Sequence, residues 1–140
     1  MKRVIFIVCM IFYGYIGFSQ IDDHDTTIYK FVEVMPQFIG DETALSMFIH
    51  SNLKAPNVDC FVTTIILSFV IEKDGSISQK IVTIDDNYVR LMENGSYTTC
   101  KEAWIDSSLE LLNQMPKWKA GMQNGKWVRV QYYIPLHLDP

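Results

Sequence analysis

Two cysteines are the residues of this chain whose chemistry is most informative. Cys60 and Cys100 remain once Cys9, which lies within an N-terminal apolar run, is set aside. In an exported protein such a pair meets an oxidising compartment, where a disulfide forms readily. We therefore expect a Cys60–Cys100 disulfide. Two free, buried thiols are the alternative, because the sequence gives no distance between the two residues.

The other residues able to do chemistry form no recognisable catalytic or metal-binding motif. His24, His50 and His137 lack ligand spacing, and no Ser, Cys or Asp lies in a nucleophile or phosphate-binding motif. The Asp-Asp-His-Asp run at 22–25 could ligate a metal. Consecutive residues near a chain end rarely converge on one ion, however, so a solvated leader is the simpler interpretation. We therefore expect no enzymatic activity and no cofactor.

The N-terminal segment "MKRVIFIVCMIFYGYIGFSQ" has the order of a secretory signal peptide. Two basic residues precede an apolar run at 4–18, and Gly17 and Ser19 are small residues before the expected cleavage point. The run has 15 residues, fewer than the about 20 that a membrane-spanning helix needs. We expect residues 1–19 to be removed and the protein to be periplasmic. A retained inner-membrane anchor formed by residues 4–18 is the alternative.

The charge of the mature chain argues against two classes of partner. The full chain has 12 basic and 16 acidic residues, and removal of 1–19 takes Lys2 and Arg3, which leaves 10 basic residues and a net charge of −6. An acidic chain lacks the excess of positive charge with which proteins bind nucleic acid or anionic lipid. A composition of 49% hydrophobic residues is sufficient for a folded core.

The first half of the mature chain predicts a strand and a helix after a flexible leader at 20–30. The segment "IYKFVEVM" (28–35) is typical of a short strand that Pro36 ends. Asp41 is placed to cap a helix over 42–53. Apolar residues at helical spacing predict one buried face on that helix, namely Leu45, Phe48, Ile49 and Leu53.

A β-hairpin is the clearest element of the sequence. Within residues 62–71 one strand face consists of Ile65, Leu67, Phe69 and Ile71, and Asp74-Gly75 is a strong signal for a tight turn. The return strand changes parity between Ile77 and Val82, which predicts a β-bulge near 78–80. A long, mostly polar connection over 85–99 follows.

A second helix and a final strand complete the pattern. Thr99 and Glu102 form a capping box, and the helix is expected to continue to Met115. Its predicted buried face comprises Ile105, Ser108, Leu109, Leu112 and Met115, with Trp104 and Leu111 beside it. Asn124-Gly125 then predicts a turn into a strand over 128–138, in which Pro135 indicates one open side.

The order strand, helix, hairpin, helix, strand predicts an α+β domain over residues 31–140. We expect an antiparallel sheet of three to four strands with two helices on one face.

Five sequence segments lie in a fixed order across about residues 31–138. They are "VMPQF" (34–38), "AL..FI..NLK.P" (44–56), "SFVIEKDGSIS" (68–78), "CKEA" (100–103) and "MPKWKAGMQNGKWVRVQY" (115–132). In these segments the chain resembles the C-terminal domain of the TonB energy-transducer family, in the form common in Bacteroidetes-type bacteria.

The resemblance implies peptide recognition without catalysis. It implies that the TonB box of an outer-membrane transporter, or a segment of another envelope protein, adds as a strand beside the final strand. The edge would be formed by Trp127, Arg129, Gln131 and Tyr133. A structural cell-envelope protein or a peptidoglycan-binding protein with the same fold is the alternative. The edge could instead be covered by the 28–35 strand or by a second copy of the chain in a homodimer.

Export gives the first prediction. The intact mass of the protein from its native envelope should correspond to a chain that begins at Gln20, because the apolar run is short and small residues precede the cleavage point. A full-length mass in the membrane fraction would favour the anchor instead.

Overall fold

Seven strands and two α-helices form along residues 25–139, which are the residues that the structure, a computed structural model, describes. In chain order they are β1 (Ile28–Tyr29), α1 (Glu42–Asn52), β2 (Cys60–Val62), β3 (Thr64–Ile71), β4 (Ile77–Thr83), β5 (Val89–Leu91), α2 (Tyr97–Asn113), β6 (Gly121–Gln123) and β7 (Lys126–His137). The expected signal peptide lies outside the described residues. None of the helices in this described part is long and apolar enough to cross a membrane.

The main sheet has five strands, and β7 lies inside it. The order is β1-β7-β3-β4, and β6 also pairs with β7. Strands β3 and β6 are antiparallel to β7, but β1 is parallel to it. The α+β class and the two helices are therefore confirmed, whereas the prediction of a purely antiparallel sheet is wrong. The reason is that the first strand enters beside the last strand in the same direction.

The N-terminal strand is shorter than the sequence predicts. Only Ile28 and Tyr29 pair with β7, opposite Arg129 and Val130. The chain then leaves β7, and Val34 forms an isolated antiparallel bridge to β6. The segment thus divides its hydrogen bonds between two strands.

Helix α1 follows its prediction closely. The Asp41 carboxylate accepts a hydrogen bond from the backbone N–H of Ala44 at 3.0 Å, which caps the helix as expected. The helix ends at Asn52, and Leu53 is extended. No side chain of α1 is fully buried, although the apolar stripe of four residues contacts the core.

The predicted hairpin and its bulge are both present in β3 and β4. Gly75 has φ +82°, a conformation that glycine adopts without strain. A Cβ at this position would collide with the Trp118 carbonyl, and the Trp118 N–H donates to the Gly75 carbonyl at 2.8 Å. The register shifts between Ser68 and Val70, opposite Gln79 at φ 47°. The hairpin turn therefore packs directly on the segment that leads to β6.

Helix α2 begins two residues before the predicted cap. Its N-cap is Ser96, without a side-chain cap hydrogen bond. The prediction of a Thr99–Glu102 capping box is therefore wrong. The predicted face is also rotated relative to the observed one, since Trp104 and Leu111 are central to it and not beside it. The buried residues of α2 are Cys100, Trp104, Ser108, Leu111 and Leu112.

The predicted Cys60–Cys100 disulfide is present. It joins β2 to the first turn of α2, with 6.0 Å between the two Cα atoms. Because the bridge fixes Cys100 against the core, where it is 1% exposed, it also sets which face of α2 turns inward. The same region contains a small sheet of β2 and β5 and a 3₁₀ turn at Asp86–Tyr88. Strand β5 and this turn lie within residues 85–99, for which the sequence predicts only a mostly polar connection.

The core lies between the helices and one face of the main sheet. The sheet residues with buried side chains on that face are Ile65, Leu67, Phe69, Ile71, Val130, Ile134 and Leu136. Trp118 fills the end of this core, where its ring lies 5.4 Å from Phe38, 5.7 Å from Phe69 and 4.9 Å from Tyr132, between centroids. Trp118 thus joins the hairpin turn, β7 and the segment before α1.

Replacement of Trp118 should destabilise the fold strongly. The side chain is 4% exposed, so Trp118→Ala should lower the free energy of unfolding by about 3–5 kcal/mol. Trp127→Ala is the matched control, since Trp127 is 50% exposed and the change should cost less than about 1 kcal/mol. Urea denaturation of both variants measures this. Equal losses would contradict the structural role of Trp118.

Candidate functional site

Strand β7 has a partner along one side for its whole length, but along the other side only near its start. On the first side it pairs with β6 through Lys126 to Val128 and with β3 through Val130 to His137. On the second side, β1 lies opposite Arg129 and Val130. Among residues 25–139 no strand pairs with that second side over 131–137.

The direction of the backbone groups of β7 follows from one hydrogen bond. The N–H of Leu138 donates to the carbonyl of Thr63 at 2.9 Å, and antiparallel pairs alternate between bonded and non-bonded positions. Even-numbered residues of β7 therefore direct their N–H and C=O groups toward β3. The odd-numbered residues 131, 133, 135 and 137 direct theirs to the opposite side, which we call the free edge.

Pro135 occupies one of these outward positions. It lies opposite Ile66 of β3, in a pair that the alternation leaves without mutual hydrogen bonds. The missing N–H of proline therefore costs the β3–β7 ladder nothing. The Gln131 N–H faces the Tyr29 carbonyl in the parallel pairing with β1, so the free edge offers donors from Tyr133 and His137 and a carbonyl from each of its four residues. The open side that Pro135 predicted in the sequence is thus the side facing away from β3.

The four residues assigned to the peptide-binding edge share the helix-free face of the sheet. Trp127 lies opposite Met122 and is 50% exposed, and Tyr133 is 55% exposed. Trp127 and Arg129 precede the free edge, in the part of β7 where β6 and β1 pair. Gln131 and Tyr133 belong to the free edge itself.

Arg129 and Gln131 form internal contacts. The Arg129 guanidinium donates to both carboxylate oxygens of Glu72, at 2.7 and 3.0 Å, and to the Thr26 carbonyl at 3.0 Å. This hydrogen-bonded pair lowers the pKa of Glu72 and raises that of Arg129. The Gln131 amide donates to Ser68 Oγ at 2.8 Å. Arg129 therefore holds the segment before β1 against β7.

Two clefts lie between α1 and β7, on the face of the sheet that carries the helices. The first, which we call the Ile49 cleft, has a volume of about 800 Å³, and its apolar walls include Leu45, Ile49, Leu53, Ile134 and Leu136. It is also lined by Cys60 and Phe61 of β2 and by Trp104 of α2. Pro135 and His137 of the free edge line the same cleft, so it reaches that edge of β7.

The second cleft, which we call the Trp118 cleft, adjoins the first. It has a volume of about 860 Å³ and is lined by Phe38, Trp118 and Tyr132. Glu42 and Leu45 line both clefts. Burial raises the pKa of the Tyr132 hydroxyl, and the negative charge of Glu42 raises this pKa further. The carboxylate of Glu42 therefore acts on the space between α1 and β7.

The apolar stripe predicted for α1 forms part of the wall of these clefts. Three of its residues are only partly buried, namely Leu45, Ile49 and Leu53. Helical spacing of apolar residues marks the face that turns inward but gives no measure of how closely the helix packs. No sequence signal distinguished α1 from the more deeply buried α2.

The described residues contain no group of three or more His, Cys, Asp or Glu side chains arranged to hold a metal ion. His50 and His137 are both exposed. Of the acidic run at 22–25 only Asp25 is described, and its carboxylate accepts a hydrogen bond from the Thr27 N–H at 3.0 Å. Hydrogen bonds from the Thr27 side chain and then from its backbone N–H lower the pKa of Asp25.

Comparisons of the chain with protein-family models, with curated proteins and with solved structures find no match. The resemblance to the TonB family therefore rests on the five sequence segments and their order. Any functional argument for this chain starts from the geometry of the free edge and the two clefts.

The Glu72–Arg129 pair predicts a specific dependence of stability on pH. Because the folded-state pKa of Glu72 is below the ordinary value of 4.5, the pair stabilises the fold above that value. The stabilisation is lost as the pH falls through the lowered pKa. Glu72→Gln should therefore show a smaller loss of unfolding free energy than the wild type between about pH 5 and about pH 3.

Urea denaturation across that pH range measures the difference. Arg129→Gln provides the control, since removal of the guanidinium should move the Glu72 pKa back toward 4.5, as followed by carboxyl-carbon NMR. An unchanged Glu72 pKa in Arg129→Gln would show that the ion pair is not its cause.

Proposed function

We propose that this protein is a binding module of the cell envelope that holds an extended peptide by strand addition, without catalysing a reaction. The observation that carries the proposal is the row of outward-directed backbone groups from the Gln131 carbonyl to His137, which has no strand partner among the described residues. A strand edge with unpaired N–H and C=O groups is a template for another extended chain.

The resemblance to the TonB family suggests the kind of peptide. Family members bind the TonB box, a short extended segment of outer-membrane transporters, and we propose that a segment of this kind, or of another envelope protein, is the partner. A periplasmic location agrees with the Cys60–Cys100 disulfide, since such bonds persist in oxidising compartments.

The position of β1 supports the use of this edge. Strand β1 covers only Arg129 and Val130, and the chain then turns away to the Val34–Met122 bridge. The described N-terminal residues therefore end their pairing at the Gln131 N–H and leave the rest of the free edge open. A peptide could add beyond β1 without displacing it.

Main-chain hydrogen bonds should supply most of the specificity for an extended backbone. A set of peptides, each methylated at one backbone nitrogen, tests this directly. Methylation at every second position should weaken binding roughly tenfold, because it removes a donor that faces β7. Methylation at the intervening positions should have little effect. Titration of TonB-box peptides, followed by the amide NMR signals of residues 131–137, gives both affinity and location.

A matched pair of protein variants tests the same edge from the other side. Tyr133→Pro removes an outward donor, and Pro135 already occupies an equivalent position in β7, so the fold should be kept. It should weaken peptide binding roughly tenfold, whereas Tyr133→Ala, which keeps the N–H, should change it less than about threefold. No alternation along the peptide, or binding to isolated peptidoglycan in place of peptide, would contradict strand addition.

A further inference from the structure

A strand bound at the free edge would present every second side chain to α1. Side chains of neighbouring strands that lie opposite one another point to the same face of a sheet. Positions of the bound strand opposite Tyr132, Ile134 and Leu136 would therefore face the helix side, about 7 Å apart along the strand. Tyr132 lines the Trp118 cleft, and the other two residues line the Ile49 cleft.

The walls of the Ile49 cleft favour apolar side chains. Leu45 and Ile49 of α1 and Leu53, which follows it, line this cleft together with Ile134 and Leu136, and none of the first three is fully buried. Apolar side chains placed there would remove their own surface and that of α1 from water, which is favourable. The cleft therefore suits apolar residues at two alternate positions.

The charged residues around the clefts favour a cation over an anion. The Ile49 cleft is lined by Glu42 and Asp139 and by no Lys or Arg. The Trp118 cleft has the acids Asp41 and Glu42 against the single base Lys119. Glu42 and Tyr132 line the same cleft, so the carboxylate lies beside the position that the third side chain would occupy.

We propose that α1 determines which peptide binds at the free edge. It accepts apolar side chains at two alternate positions of the bound strand. At the next alternate position, beside Glu42, it favours Lys or Arg over Asp or Glu. This inference rests on the strand addition proposed above and assigns the specificity of that site to a helix outside the sheet. The ligand is therefore an extended peptide whose apolar residues follow an i, i+2 pattern next to a basic residue.

Seven-residue peptides that vary at the three helix-facing positions test the inference on the exported form of the full chain. Fluorescence anisotropy should give at least roughly tenfold tighter binding for Leu or Ile than for Asp at the two apolar positions. Lys should bind more tightly than Glu at the position beside Glu42.

Two adjacent variants of α1 separate a role in selection from general effects of charge. Ser46 is exposed and lines the Ile49 cleft, whereas Met47 is 66% exposed and lines neither cleft. Ser46→Lys should weaken binding of the apolar peptides roughly tenfold, and Met47→Lys should leave it unchanged. Glu42→Lys should reverse the charge preference, so that the Glu peptide binds more tightly than the Lys peptide.

The outcomes distinguish this inference from the function on which it rests. Peptides that bind the wild type without preference at the three positions, or equal effects of Ser46→Lys and Met47→Lys, would overturn selection by α1 and leave strand addition intact. Failure of Glu42→Lys to reverse the preference would overturn the charge assignment. Absence of binding by every peptide would overturn both proposals.

Discussion

The two-residue alternation of β7 is the constraint on which the rest of this structure depends. In a strand, side chains alternate between faces and backbone groups alternate between edges with the same period. In β7 the residues with core side chains, such as Val130 and Ile134, also bond to β3. The residues with solvent-facing side chains direct their backbone to the free edge. One sequence pattern therefore fixes the core and leaves an edge available.

The two helices differ in how firmly they are attached to this sheet. Helix α2 buries five residues and is joined to β2 through Cys100, so its position is set by both packing and a covalent bond. Helix α1 has no fully buried residue and stands beside the clefts. Helix α2 thus packs on β2, β4 and β5, whereas the more loosely packed α1 lies beside the clefts and the C-terminal half of β7.

Strong local signals made much of the fold predictable, and the parts that failed depend on distant contacts. Asp41, Asp74-Gly75 and the bulge near Gln79 act within a few residues, and each was predicted correctly. Strands β2 and β5 have three residues each, too few for alternation to be recognised. The parallel pairing of β1 and the partial burial of α1 depend on packing between segments far apart in sequence. The outward direction of the 131–137 backbone required the register with β3, although Pro135 indicated that an open side exists.

Pro135 also affects how readily further chains can add to the exposed edge of β7. An exposed strand edge with a complete row of donors can template the addition of further chains, which leads to aggregates and fibrils. Here the row is interrupted at one of its four outward positions, so any chain that adds along its whole length leaves one carbonyl without a donor. Repeated stacking multiplies this defect at every layer, whereas a single short strand meets it once. The proline therefore disfavours indefinite polymerisation along this edge more than the addition of one short strand.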